Sequence, residues 1–378
     1  MAIISYLNTV RLDQGAIGSL AEDIAILGIK KPLIVSDAGI KHAGHVDKVI
    51  ANLPGGLAYS VFLETPPNPT EPAVHAALAQ YRTEGCDGLI GLGGGSSIDL
   101  AKGVAVLSAH PAPLQQYAAV MGGQARITDR TAPVIAIPTS AGTGSEVGRG
   151  AVITFADGRK LGILSPHVVP KRAICDPDLT VTASPQQTAA FGMDALVHCI
   201  ECFVSPVENP VAEAIAIDGF ARAIANLPRA VRDGADREAR RQMMVVALMG
   251  AMSFQKGCGA VHALAHPLGG LSKTELHHGT LSSILLPHVL RFNAGEALVL
   301  PKYRRLLDVA GAGEADDIAE FMRRFSVEIG MPQRLSDIGV SRDLLPRIAA
   351  LAPLDHTHAT NPRRAAEADY LDMLEAAF

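Results

Sequence analysis

The sequence contains no tryptophan, and aromatic residues make up only 4% of its 378 residues. Charged residues are also sparse at 19%, and the formal net charge of −5 comes without a basic run or patch. Because binding to nucleic acid needs clustered Lys and Arg for the phosphates, we expect no nucleic-acid partner. No run of about 18 uninterrupted apolar residues occurs, so we expect no membrane association. The stretch 1–10 has neither a basic region nor a cleavage pattern, which predicts a cytoplasmic protein.

Cysteine is scarce as well. The five cysteines are Cys86, Cys175, Cys199, Cys202 and Cys258, an odd number without the spacing of a disulfide framework. Cys199 and Cys202 form a Cys-x-x-Cys pair, but this pair lies inside an apparent helix and has no second pair to complete a zinc site. The pattern therefore favours buried thiols over a redox or zinc site.

The hydrophobic content of 48% and the length of the chain predict a compact protein of two domains. In the first half, short β-branched runs alternate with helical patterns, which is typical of a parallel, doubly wound sheet. The predicted strands are 32–36, 57–62, 88–92 and 134–137, and the predicted helices are 39–53, 73–83 and 99–109.

After residue 180 the β-branched runs largely stop and long helical patterns dominate. The predicted helices include 186–204, 211–227 and 239–256. We therefore predict an α/β N-terminal domain with a parallel sheet and helices over residues 1–180. An all-α C-terminal domain should follow over residues 181–378.

A glycine-rich segment, Gly91-Leu-Gly-Gly-Gly-Ser-Ser-Ile-Asp99, follows a predicted strand and opens a predicted helix. Glycines let a pyrophosphate approach the backbone, and we expect Ser96 or Ser97 to cap the helix, whose N-terminus attracts anions. The segment departs from the usual dinucleotide fingerprint because Ser96 replaces the last glycine. The candidate ribose-binding acid, Asp37, also precedes the glycines; its charge would repel a 2′-phosphate and favour NAD over NADP. A tight turn without a ligand is the alternative.

A second loop of small residues, Pro138 to Glu146, follows the fourth predicted strand. Its Thr139, Ser140 and Thr143 hydroxyls and its exposed amides suit the phosphate or nicotinamide side of a dinucleotide. The alternative is a polar loop that passes between layers.

Two pairs of polar residues at helical spacing point to a metal. Asp194 and His198 are four residues apart in an apolar helical pattern, and His262 and His266 repeat that spacing in an Ala-rich segment. A buried imidazole pair needs a partner, which backbone carbonyls could also supply, and Asp194 could instead be a helix cap.

One carboxylate and three imidazoles can bind a divalent cation and leave one face open for substrate. The candidate ligands are Asp194, His198, His262 and one of His277 and His278. Such a metal would polarise a substrate carbonyl or alkoxide, and His266 would then lie close enough to move a proton.

Four ordered motifs, at 93–102, 138–147, 192–201 and 261–270, together resemble the iron-dependent (group III) alcohol dehydrogenases. The likeness spans nearly the whole chain, from Asp37 to Pro362. Within that family the chain looks most like the branch that interconverts 4-hydroxybutyrate and succinic semialdehyde.

The resemblance implies that the α/β N-terminal domain (1–180) is a dinucleotide-binding domain and that the all-α C-terminal domain (181–378) is the metal-binding and catalytic domain. It implies NAD and a divalent metal, Fe²⁺ or alternatively Zn²⁺, as cofactors. It implies metal ligands at Asp194, His198, His262 and the histidine before Gly279, which is His278. The chain is two residues longer between His266 and His278 than many family members. The catalytic residues it implies are His262 and His266, with His266 beside the nicotinamide. The predicted cofactor contacts are Asp37, Gly94, Gly95, Ser96, Asp99, Thr139, Ser140, Thr143 and Lys160.

The sequence thus predicts NAD-dependent, metal-assisted hydride transfer between a primary alcohol, such as 4-hydroxybutyrate, and its aldehyde. Arg149 is the first candidate to face a substrate carboxylate and Lys273 the second, while a surface ion pair with Glu146 or Asp157 is the alternative for Arg149. We expect a homo-oligomer, a dimer. The alternative functions are a transhydrogenase that retains its cofactor, a general short-chain alcohol dehydrogenase, a lyase of the dehydroquinate synthase type, and a non-catalytic metal or nucleotide sensor.

Overall fold

The computed structural model describes Ile4, Tyr6 and residues 8–271, 276–313 and 317–378. These residues form two compact units. The α/β unit comprises Tyr6 and residues 8–140 and 144–182. The helical unit comprises Ile4, residues 141–143 and the described part of 183–378.

A parallel sheet forms the centre of the α/β unit. Its strands are β1 (Thr9–Leu12), β2 (Pro32–Val35), β3 (Ser60–Phe62), β4 (Gly88–Gly93), β5 (Val134–Pro138) and β8 (Arg172–Cys175). Their order across the sheet is β1-β8-β5-β4-β2-β3, and every neighbouring pair is parallel. A separate antiparallel pair consists of β6 (Gly150–Thr154) and β7 (Lys160–Leu164).

Both faces of the parallel sheet are covered, which explains why its strands are apolar throughout. Along β2, Leu33 and Val35 belong to the hydrophobic cluster on one face, whereas Ile34 belongs to the cluster on the other. The helices of this unit are α1 (Leu20–Leu27), α2 (Ala38–His42), α3 (His45–Ala51), α4 (Glu71–Thr83) and α5 (Gly95–Ala109). The α/β class predicted for this half is confirmed.

Three local predictions in this half were wrong. The single helix predicted over 39–53 is two helices, because Gly44 adopts a left-handed conformation (φ +81°) that interrupts the helix. Helix α5 begins at Gly95 rather than at Asp99. The prediction also omitted strands β1, β6, β7 and β8, which are only four or five residues long.

The helical unit contains long helices around one hydrophobic core. They are α6 (Pro185–Val204), α7 (Pro210–Arg232), α8 (Arg237–Met252), α9 (Ala260–Leu271), α10 (His278–Asn293), α11 (Leu300–Val309), α12 (Ile318–Glu328), α13 (Leu345–Leu351) and α14 (Glu367–Ala376). Helix α6 packs against α7, α8 and α10 and is buried along most of its length. Ser184 and Gln187 form a capping box at its start, with Pro185 in the first turn. The predicted helical class of this half is confirmed.

All five cysteines are free and buried, as predicted. No single helix in the described ranges is long and apolar enough to cross a membrane. One bent pair of helical segments, Arg237–Lys256 with Ala260–Leu271, passes the test of length and composition when its two members are taken together.

Candidate functional site

Helix α6 supplies the first two candidate metal ligands. Asp194 and His198 lie one turn apart on the helix and are both buried, at 2% and 4% exposure. Their spacing brings Oδ1 of Asp194 to 3.7 Å from Nε2 of His198. A carboxylate and an imidazole therefore face each other inside the apolar core of the helical unit.

Helices α9 and α10 bring two further imidazoles to this pair. The ring of His262, on α9, stacks on His198 with ring centroids 4.7 Å apart. His278, the first residue of α10, places Nε2 3.6 Å from Oδ1 of Asp194. Potential ligand atoms of Asp194, His262 and His278 all lie within 4.8 Å of one another. The structure thus brings together the four predicted ligands from three helices.

Gly279, directly after His278, allows helix α10 to start close to helix α6. A Cβ atom at Gly279 would overlap the carbonyl oxygen of Ala190 and lie 3.1 Å from Cβ of Asp194. Helix α10 can therefore begin against α6 only with glycine at this position. The neighbouring His277 is exposed, and its ring packs on Phe191 at 5.0 Å.

A carboxylate that the sequence analysis did not select orients His262. Oε2 of Glu201 lies 2.5 Å from Nδ1 of His262, and Oε1 accepts a hydrogen bond of 2.7 Å from the Val261 amide. Because an ionised carboxylate can only accept, Nδ1 of His262 carries the hydrogen and Nε2 presents a lone pair. Within the described ranges this Nε2 is buried and has no hydrogen-bond partner.

These features fit a divalent metal. A carboxylate oxygen and imidazole nitrogens suit Fe²⁺ or Zn²⁺, and a carboxylate behind a ligating histidine is the usual outer partner of such a ligand. Burial lowers the pKa of His198 well below its ordinary value, and the neighbouring His262 lowers it further. Burial also acts to lower the pKa of His262, but the carboxylates of Glu201, Asp194 and Asp355 together outweigh it and raise that pKa. His198 is therefore neutral, as a metal ligand must be.

His266 lies one turn beyond His262 on α9. Its ring centroid is 5.8 Å from that of His262 and 5.5 Å from that of His278. Nδ1 of His266 lies 2.9 Å from Oδ2 of Asp355, a partly buried residue that the sequence analysis also missed. Burial acts to raise the pKa of Asp355, but His266 and other neighbours lower it well below its ordinary range. The helical unit therefore places an oriented imidazole beside the candidate metal ligands.

The glycine-rich segment lies in the α/β unit, between the end of β4 and the start of α5. Gly93 has φ +141°, and a Cβ atom there would lie 2.8 Å from Oγ of Ser97. The prediction that Ser96 or Ser97 caps the helix was wrong, because Gly94 is the N-cap and, among the residues that the structure describes, no side-chain hydrogen bond caps this helix. The Ser96 hydroxyl instead donates to the Pro67 carbonyl. This leaves the helix N-terminus suited to an anion.

Asp99, a predicted cofactor contact, has both carboxylate oxygens engaged within the α/β unit. Oδ1 accepts from the Ser145 hydroxyl at 2.5 Å, and Oδ2 accepts from the Val152 amide at 2.9 Å. The fully buried Lys102 ammonium donates to Ser145 Oγ at 2.7 Å and to the Gly150 carbonyl at 2.6 Å. Asp99 and Lys102 therefore connect α5 to the segment that follows the second small-residue loop.

The other predicted cofactor contacts occupy several places. Asp37 is the N-cap of α2, where Oδ1 accepts from the Ile40 amide at 2.9 Å. Thr139 and Ser140 are buried directly after β5, and the Thr139 amide donates to the Gly93 carbonyl at 3.0 Å.

Lys160 begins β7 and donates to Asn68 Oδ1 at 3.1 Å. Thr143 belongs to the helical unit. Two residues were predicted to face the carboxylate of the substrate. Arg149 is exposed in the α/β unit, and Lys273 lies outside the described residues.

The sequence and the structure were compared with known proteins and protein families. The family model "Iron-containing alcohol dehydrogenase" matches residues 8–177, and "Fe-containing alcohol dehydrogenase family, C-terminal" matches residues 188–378. The chain is 50% identical over 380 residues to 4-hydroxybutyrate dehydrogenase of Cupriavidus necator, with 99% of each chain covered. It is 33% identical over 377 residues to the NAD-dependent methanol dehydrogenase of Bacillus methanolicus, with 97% of each covered. The crystal structure of a 1,3-propanediol oxidoreductase matches all of both chains with a TM-score of 0.93 at 35% identity.

Proposed function

Because the chain belongs to the iron-containing alcohol dehydrogenase family, as its four motifs predicted, we propose that it interconverts 4-hydroxybutyrate and succinic semialdehyde. Family membership makes it an oxidoreductase that acts on small alcohols and aldehydes with NAD and a divalent metal. The choice of 4-hydroxybutyrate is supported by the 50% identity, over nearly the whole chain, to a relative that carries that activity in its name.

The observation that carries the proposal is the buried group of Asp194, His198, His262 and His278 in the helical unit. These four side chains would hold the metal. When bound there, a divalent metal supplies Lewis-acid polarisation of the substrate oxygen. Glu201 holds His262 with Nε2 turned toward the group, so this ligand needs little rearrangement.

His266 is the proposed proton carrier. In the oxidation direction Nε2 of His266 would take the hydroxyl proton of the alcohol. NAD, when bound, would supply the acceptor for the hydride that leaves the carbinol carbon. The products are the aldehyde, NADH and one proton, and the reverse direction returns that proton to the aldehyde oxygen.

For the cofactor, we propose that the Gly94-Gly95-Ser96 turn contacts the pyrophosphate and that Asp37 contacts the ribose. The uncapped start of α5 supports the first assignment. The other predicted contacts of the cofactor stay predictions; they are Thr139, Ser140, Thr143, Lys160 and Asp99. Asp99 would affect cofactor binding indirectly, through the loop to which it is hydrogen-bonded. Arg149, which is exposed, stays the proposed partner of the substrate carboxylate.

The test couples metal analysis to turnover. The purified protein, loaded with Fe²⁺ without oxygen or with Zn²⁺, should reduce NAD in the presence of 4-hydroxybutyrate and release NADH. His262→Ala should lose both bound metal and turnover, because it removes one of the four proposed metal ligands. Full activity of a metal-free His262→Ala protein would refute the site.

The same assay, which measures released NADH, also distinguishes the alternative functions. A transhydrogenase would convert a mixture of hydroxyacid and oxoacid without changing the NADH concentration. A metal or nucleotide sensor would turn over no alcohol at all. A preference for butanol over 4-hydroxybutyrate would indicate a general short-chain alcohol dehydrogenase.

We further propose that the chain functions as a cytoplasmic homodimer. The free state of all five cysteines is in keeping with a reducing compartment. Light scattering coupled to gel filtration would give the mass of the assembly, and the mass of a monomer at micromolar concentration would contradict the dimer.

A further inference from the structure

The loop from Asp355 to Asn361 contacts helix α9 at two points. At the start of the helix, Oδ1 of Asn361 accepts a hydrogen bond of 3.1 Å from the Ala260 amide. Further along, Oδ2 of Asp355 lies 2.9 Å from Nδ1 of His266. Just before the helix begins, the Cys258 carbonyl accepts a hydrogen bond of 2.5 Å from the Thr360 hydroxyl. The loop is therefore fixed to the helix that carries both His262 and His266.

The carboxylate of Asp355 is itself held in one orientation. Its Oδ1 accepts hydrogen bonds from the Thr357 amide at 2.8 Å and from the Thr357 hydroxyl at 2.6 Å. With Oδ1 engaged in this way, Oδ2 is directed at His266. The side chain of Asp355 is only 9% exposed, so water competes little for these bonds.

This arrangement selects one tautomer of His266. An ionised carboxylate has no hydrogen to donate, so the short contact requires the hydrogen to be on Nδ1 of a neutral His266 ring. The lone pair is then on Nε2. We propose that Asp355 is the positioning residue that keeps His266 in the Nδ1–H tautomer and thereby keeps Nε2 available as the proton acceptor, an inference that depends on the proposed role of His266.

His356 provides a neighbour for comparison. Its Nδ1 lies 3.5 Å from Oδ1 of Asp355, and its ring stacks on His266 with centroids 5.7 Å apart. The 3.5 Å separation is longer than a normal hydrogen bond, and Thr357 already donates twice to the same oxygen. His356 therefore contributes little to the orientation of Asp355 and is a suitable control position.

The direct test needs no substitution. Nitrogen-15 NMR of histidine-labelled protein, loaded with diamagnetic Zn²⁺ at about two pH units above the ordinary histidine pKa, distinguishes the two neutral tautomers. His266→Gln identifies the His266 signals by their disappearance. The proposal predicts hydrogen on Nδ1 of His266. Hydrogen on Nε2 in the unmodified protein would overturn it, whatever the activity of any variant.

Asp355→Asn tests the consequence for turnover. The Thr357 amide cannot rotate away, so the asparagine oxygen should remain beside it and the NH2 group should face His266. Nδ1 would then have to accept, and the hydrogen would move to Nε2. We expect the NMR signature to reverse and kcat to fall about 100- to 10,000-fold, which is the typical contribution of a positioned proton-transferring side chain. KM for the alcohol should change much less, because the side chains proposed to bind metal are untouched.

His356→Gln is the matched control and should keep the Nδ1–H signature, with kcat within about threefold of the unmodified protein. If Asp355→Asn keeps the hydrogen on Nδ1, or keeps normal kcat despite a reversed signature, Asp355 is not the positioning residue. Full turnover in His266→Gln would instead refute the proton-carrier role of His266, while the NMR spectrum would still decide the tautomer. Thermal melting and zinc content of each variant exclude misfolding as the cause of a lost rate.

Discussion

Replacing Glu201 by glutamine should weaken metal binding without removing any proposed ligand. The carboxylate of Glu201 accepts from the Val261 amide through Oε1 and from Nδ1 of His262 through Oε2. Glutamine has nearly the same size but only one acceptor oxygen. The Val261 amide is fixed by the start of helix α9, so the amide oxygen should stay there and the NH2 group should face His262. The hydrogen of His262 would then move to Nε2, the atom that should bind the metal.

The size of the effect follows from the contact that is changed. Loss of an outer partner of a ligating histidine typically weakens metal affinity about 10- to 100-fold, which corresponds to roughly 1.4–2.7 kcal/mol. The distance of 2.5 Å between Oε2 of Glu201 and Nδ1 of His262, in a buried setting, places the expected change toward the upper end. At saturating metal the free energy of unfolding should fall by a similar amount, because metal binding stabilises only the folded protein.

Competition with a chromophoric zinc chelator measures this affinity directly, and the control is Glu328→Gln. The side chain of Glu328 is 57% exposed at the end of α12 and forms a 3.6 Å ion pair with Arg232, so its replacement should leave zinc affinity unchanged. The reasoning about Glu201 fails if Glu201→Gln binds zinc as tightly as the unmodified protein. It also fails if both variants weaken zinc binding equally.

Three further substitutions test other parts of the structure. Gly279→Ala should push α10 away from the Ala190 carbonyl, lower the free energy of unfolding by about 1–3 kcal/mol and weaken zinc binding. The control is Gly55→Ala, because a Cβ atom there would meet nothing within 4 Å. Equal melting temperatures for the two variants would contradict the packing argument. Burial raises the pKa of Glu146 from 4.5 to about 7, so the folded protein favours the protonated side chain. The stability that this preference contributes is present below the pKa of the unfolded chain and is lost as the pH rises from about 4.5 to about 7. Urea unfolding should show Glu146→Gln more stable near pH 8, by up to roughly 3 kcal/mol, but not near pH 4; a pH-independent difference would argue against this. Arg149→Ala should raise KM for 4-hydroxybutyrate about tenfold or more without affecting butanol, and parallel changes for both alcohols would remove Arg149 from the substrate site.

The spacing of residues in the sequence was sufficient to predict those parts of the candidate site that lie on a single helix. Asp194 and His198, like His262 and His266, are separated by one helical turn, so their common face could be predicted without tertiary information. Long apolar periodicity likewise identified α6 and α7, because a helix of 20 residues repeats its pattern several times. Strand β1 is as long as β2, which was predicted, but Thr9 and Arg11 interrupt the apolar run by which β2 could be identified.

The partners of these histidines show where local spacing is insufficient. Glu201 had a detectable signal, since it follows His198 by three residues and therefore shares its face of α6. Asp355 had none, because it lies 89 residues from His266 in a loop whose position depends on the packing of the whole unit. The serine cap predicted for α5 failed for a different reason: the helix starts earlier, at Gly95, so the serines lie inside its first turn.

The buried thiols have a practical consequence for labelling. Burial raises the pKa values of Cys175 and Cys199, which lowers their thiolate fractions, and all five cysteines are shielded from solvent. Maleimide and iodoacetamide reagents attack exposed thiolates, so the folded protein should react slowly with both. A single cysteine introduced on an exposed surface would then carry a fluorophore or spin label at one known position, with no need to replace the native cysteines.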